Sequence, residues 1–174
     1  MRRKRKLEID VKQESKAYIP FGPSGLGGWL VLVQIGLIIT LFRVTLQLLN
    51  YNLPSFNAEY WDVLTSKQGE LYHPLWGPMI VFETASNLLL LLFSVFSLVL
   101  FYRKKATLPR MIILLFCGNL LIGIIDYIFL LNIPLLRETG QGSSIRDLVR
   151  AALICATWVT YFRKSERVEN TFVR

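Results

Sequence analysis

Four long apolar stretches separated by short polar segments dominate the chain, at about residues 27–49, 78–102, 110–132 and 144–162. At 1.5 Å per residue each makes a helix of about 27–37 Å, enough for a hydrocarbon core of about 30 Å. The second carries the clearest signal: Thr84 to Tyr102 contains no charge, and Pro78 stands in the first turn, where a helix tolerates proline. The first is opened by Gly22-Pro23-Ser24-Gly25-Leu26-Gly27-Gly28-Trp29, a glycine-rich turn followed by an aromatic ring suited to the headgroup level. A phosphate loop does not fit there, because no strand precedes the glycines and no Lys-Ser/Thr follows them. Pro134 and Gly140-Gln141-Gly142 form the connection between the third and fourth stretches. The pattern predicts an all-α membrane protein, a compact bundle of four transmembrane helices over residues 25–162. A basic tail precedes it at 1–24, and another follows at 163–174.

Composition agrees with this reading. Of 174 residues, 53% are hydrophobic and 18% charged, against about 25% charged in an average soluble domain, and mean hydropathy is +0.43. The net charge of +8 is explained by the flanks of the apolar stretches rather than by nucleic-acid binding. Seven Lys and Arg precede the first span, four lie in 103–110 and four follow Phe162, whereas only Lys67 and Arg137 occupy the other two connections. The positive-inside rule then puts both termini in the cytoplasm and the connections 50–77 and 133–143 on the far side. In the longer of these, Phe56, Tyr60 and Leu64 recur at helical spacing beside Trp61 and Val63, predicting a short amphipathic helix anchored at the outer interface. The basic groups around Arg163-Lys164-Ser165-Glu166-Arg167 suit anionic headgroups at the cytoplasmic face.

Arg43, Glu83, Asp126 and Arg150 are charges inside the apolar stretches, where an ionised group costs roughly 2.5–3.5 kcal/mol at the bilayer centre and therefore pairs, faces a bundle interior or lines a pathway. Counting along helices of the predicted orientation puts all four in the outer half of the membrane, with Asp147 just above. Gly36, Thr40, Arg43 and Gln47 share one face of the first helix, and Glu83, Asn87 and Ser94 one face of the second. Asn119, Gly123 and Asp126 do so on the third, and Asp147, Arg150, Thr157 and Tyr161 on the fourth. The expected arrangement is a polar seam in which Arg43 and Arg150 clasp Glu83 and Asp126. Such a seam either fastens helices or receives a polar small molecule or a proton.

Other chemistry finds little support. Cys117 and Cys155 lie inside spans, where thiols behave as small hydrophobes. His73 beside Pro74 lacks companions at ligand spacing, so no metal and no cofactor are expected. No nucleophile accompanies the carboxylates, so no catalytic residues are expected either.

Gly25-Leu26-Gly27-Gly28-Trp29-Leu30, Pro78 with Phe82-Glu83 and Asn87, and the closing Tyr161-Phe162-x-x-Ser165-x-Arg167-Val168-x-x-Thr171-Phe172-Val173 resemble the bacterial inner-membrane proteins grouped as domain of unknown function 2569, over about residues 25–173. The resemblance implies a bacterial inner membrane and four helices, and brings no known activity. The functional expectation is a non-enzymatic accessory or interaction subunit with a membrane-protein partner. The alternative is a small transporter, channel component or receptor with an outward-facing polar pocket.

Overall fold

The computed structural model describes residues 22–69, 71–139 and 145–173. The basic stretch 1–21 and the Gly140-Gln141-Gly142 connection lie outside the described residues. Every regular element among those described is helical: α1 (Trp29–Gln47), α2 (Ala58–Thr65), α3 (Trp76–Tyr102), α4 (Leu108–Asn132), α5 (Pro134–Thr139), α6 (Ile145–Lys164) and α7 (Glu166–Thr171).

α1 does not end at Leu49 as expected. It widens into a π turn at Leu48–Asn52 and tightens into a 3-10 turn at Pro54–Phe56, so the apolar rod runs from Trp29 to Phe56. Pro54 supplies the cause, since a proline ring clashes with the carbonyl four residues back and breaks the regular ladder. The Leu53 amide reaches instead to the Leu48 carbonyl at 2.9 Å. The wider turn keeps Asn52 on the buried side of the helix with Val44 and Leu48.

Among the described residues, three helices are long and apolar enough to cross a membrane: Trp29–Phe56, Trp76–Tyr102 and Leu108–Asn132. α6 has 20 residues, but Arg146, Asp147 and Arg150 in its first turns and Arg163 and Lys164 in its last set its composition apart. Neighbouring long helices run antiparallel. Gln34 meets Tyr102 and Asn52 meets Asn87 between α1 and α3, Phe82 meets Phe129 between α3 and α4, and Phe116 meets Trp158 between α4 and α6. α1 packs on α3, α3 on α4 and α4 on α6, an open row in which no extended α1–α6 interface closes the bundle.

The row is joined at one end by the chain terminus. Leu30 and Leu37 of α1, Leu100 and Phe101 of α3, Leu108 and Ile112 of α4 and Phe162 of α6 form one apolar core with Val168 and Phe172 of the C-terminal segment. Phe101, the largest fully buried side chain, packs against the Phe172 ring at 5.8 Å. Val168 and Phe172, within the segment expected to be a basic tail, are thus part of the core. At the other end α2 packs on the start of α3, and Trp76, Met79, Ile133 and Leu136 form a smaller core joined by Leu64. The expected short helix exists, but Trp61 and Thr65 face Gly77 while Tyr60 is exposed.

Candidate functional site

Between the two cores lies a polar layer, and its composition differs from the expected seam. Asn87 Nδ2 donates to Asn52 Oδ1 at 3.0 Å, and both residues are buried. Asn52 reaches this position only because of the π turn, and hydropathy alone reads Asn50-Tyr51-Asn52 as loop. One turn before Asn87, Glu83 is partly buried, next to the Phe82 that meets Phe129 across the α3–α4 interface. Asp126 Oδ1 is buried with no hydrogen-bond partner, as are the hydroxyls of Ser94 and Ser97, whose small side chains fill fully buried positions of α3.

The arginines stand elsewhere. Among the described residues, neither Arg43 nor Arg150 forms an ion pair with Glu83 or Asp126. Arg43 is exposed and lies near the middle of the Trp29–Phe56 rod. The cause is helical phase. The face of α1 that packs is Leu30, Val33, Leu37, Val44 and Leu48, which turns Gly36 and Arg43 outward; a Cβ added at Gly36 would meet nothing within 4 Å. Arg150 and Asp147 are exposed as well, because α6 turns Cys155, Trp158 and Phe162 toward the rest of the protein, and Asn119 of α4 is also exposed. Of the expected cluster, therefore, Glu83, Asn87 and Asp126 are at least partly buried on α3 and α4, Asn52 joins Asn87, and Arg43, Asn119, Asp147 and Arg150 stand on outer faces.

Two further contacts were not anticipated. Cys117 and Cys155 face each other across α4 and α6 with sulfurs 3.8 Å apart. His73 Nδ1 accepts from the Leu75 amide at 3.3 Å, securing the turn into α3.

The glycine-tryptophan opening and the C-terminal motif, far apart in sequence, meet in space. Thr171 Oγ1 accepts from the Gly25 amide at 2.9 Å and donates to the Arg167 carbonyl at 2.6 Å. Ser165 breaks α6 with an extended backbone and accepts from the Val168 amide at 3.4 Å, capping α7. The Arg167 guanidinium lies against Gly27 and Gly28, where an added Cβ would approach it to 3.2 and 3.5 Å. Gly28 has φ 63°, a conformation other residues resist, so its backbone geometry favours glycine, while at Gly27 it is the guanidinium that would be crowded.

The chain is 26% identical over 151 residues to the inner membrane protein YdgK of Escherichia coli strain K12, a match covering 87% of this chain and 95% of the relative. No solved structure matches it significantly. The model of the family described as protein of unknown function DUF2569 matches residues 23–173, from the glycine turn through the C-terminal clasp, and the chain belongs to that family.

Proposed function

We propose that the protein is a non-enzymatic, multi-pass protein of the bacterial inner membrane that acts as an accessory or interaction subunit, presenting the outer face of α1 to a membrane-protein partner. It has four spans, with α6 as the fourth and both termini cytoplasmic. Supporting α6 is its antiparallel packing on α4, from Phe116 against Trp158 to Gly123 beside Leu148, which sets it in the same layer as a helix of clear spanning character. Orientation rests on the Lys and Arg bias of the flanks. The membrane assignment draws on the E. coli relative, named as an inner membrane protein.

The observation that carries the interaction reading is Arg43: a guanidinium near mid-span, on an exposed face, with no ion-pair partner among the described residues. Such a group is held most favourably by a carboxylate or carbonyl of another helix, and the open space at Gly36 lets one approach. A photo-crosslinking residue at Ile39, on that exposed side, gives discrete protein adducts in cells that vanish when Arg43→Leu is added. Adducts no different from those of a probe at the exposed Leu92 of α3 overturn the reading.

One observation favours the second reading, a small transporter or receptor. Asp126 Oδ1 is buried without a hydrogen-bond partner, and Glu83 is partly buried on the neighbouring helix, an arrangement suited to a proton or a polar solute. Glu83→Gln and Asp126→Asn variants that fold as the parent does but lose a cellular phenotype favour that reading over the first.

A further inference from the structure

At the end of the row where the termini meet, a cleft of about 670 Å³ is lined by Ser24 and Gly25 of the glycine turn, Tyr102 to Lys105 at the end of α3, and Asn170, Thr171 and Val173 of the C-terminal segment. Its volume falls in the range of small-molecule sites, about 300–1,000 Å³. Three consecutive cations, Arg103, Lys104 and Lys105, form one wall, and no carboxylate lines it. Among the described residues, none of the three forms an ion pair. Arg167, with its guanidinium over Gly27 and Gly28, adds positive charge to the same corner.

The backbone reinforces the point. α3 ends in a Schellman motif, with the Lys105 amide bonded to the Leu100 carbonyl at 3.1 Å and the Lys104 amide to the Phe101 carbonyl at 3.2 Å. The left-handed position of that motif, usually glycine, is Lys104 at φ 52°. A side chain held where glycine is favoured keeps a third cation on the wall. Opposite it, Gly25 has φ 90° and nothing within 4 Å of an added Cβ, so its backbone borders open space. Hydroxyl and amide groups of Ser24, Asn170 and Tyr102 supply hydrogen-bonding partners on the remaining sides. Trp29 and Tyr102, exposed at the ends of apolar helices, mark this level as the membrane-water boundary.

We propose that this cleft binds a phosphate group, which at this depth is supplied by the headgroup of an anionic phospholipid. The site is built, with walls from three separate segments, and so differs from diffuse attraction of a basic tail to a charged surface, which selects neither position nor stoichiometry. It is independent of the partner face on α1.

The test is lipid retention by the full chain in detergent, read by native mass spectrometry with phosphatidylglycerol or phosphatidylcholine added. The parent retains one phosphatidylglycerol in preference to phosphatidylcholine. Removing one wall cation weakens that preference about fivefold. Lys104→Gly relieves the left-handed strain and so preserves the fold, and Arg103→Gln with Lys105→Gln removes two further charges. Arg163→Gln with Lys164→Gln, equal in charge and exposed at the end of α6 outside the cleft lining, leaves retention intact. Equal losses from the cleft and control variants, or no loss from either, overturn the proposal. Inorganic phosphate separates the sources: protection of the parent but not of the Lys104→Gly variant by phosphate alone, with no lipid preference, supports the phosphate site and overturns the lipid assignment.

Discussion

Replacing Phe172 with alanine tests whether the C-terminal segment is a structural clasp or a surface tail. Phe172 is 5% exposed, against Phe101 and in the same core as Leu30, Leu108 and Val168. Deleting such a ring costs about 3–5 kcal/mol, because the transfer energy of the ring is lost and a cavity remains. Thr171→Val keeps the shape but removes the oxygen that accepts from Gly25, leaving that amide without its partner for about 1–3 kcal/mol. For a chain of this size each kcal/mol moves the melting temperature by about 2–4 °C, so Phe172→Ala melts about 6–20 °C below the parent. Thermal unfolding in mild detergent, followed by tryptophan fluorescence, reads both variants. A tail held to headgroups by charge responds to salt and not to Phe172, whereas the clasp responds to Phe172 at any ionic strength. Parent-like melting of both variants refutes the clasp.

Asn52 and Asn87 form a buried pair, so Asn87→Leu alone costs about 1–3 kcal/mol by leaving Asn52 Oδ1 without its donor, and a double-mutant cycle gives a coupling of about 0.6–1.7 kcal/mol. Additive losses show that the pair is not coupled. Mild oxidation joins Cys117 to Cys155 within one chain and yields a faster-migrating band on non-reducing gels, abolished by Cys155→Ser; a band only between chains contradicts the α4–α6 packing. Cysteines introduced at Ser66 and Lys104 label from opposite faces of the membrane, and equal labelling from outside removes the four-span topology.

Hydropathy located the long helices, with ends close to those observed except where the first continues to Phe56, because lipid demands about 20 apolar residues per crossing and leaves few alternatives. It marked the glycine turn, the helix after Pro78 and the short aromatic helix through Phe56, Tyr60 and Leu64. Charge determined less than it promised. Depth counted from an assumed helix end missed the continuation of α1 through its π turn, and a polar stripe does not reveal which way it points. On α1 the stripe of Gly36 and Arg43 points outward, because the packing of Leu30, Val33 and Leu37 against the other helices sets the rotation. In a bilayer, apolar side chains are at home on either face, so hydrophobicity does not orient a helix about its axis, and close packing does. The packing alone therefore joins Asn52 to Asn87, turns Arg43 outward and ties Gly25 to Thr171.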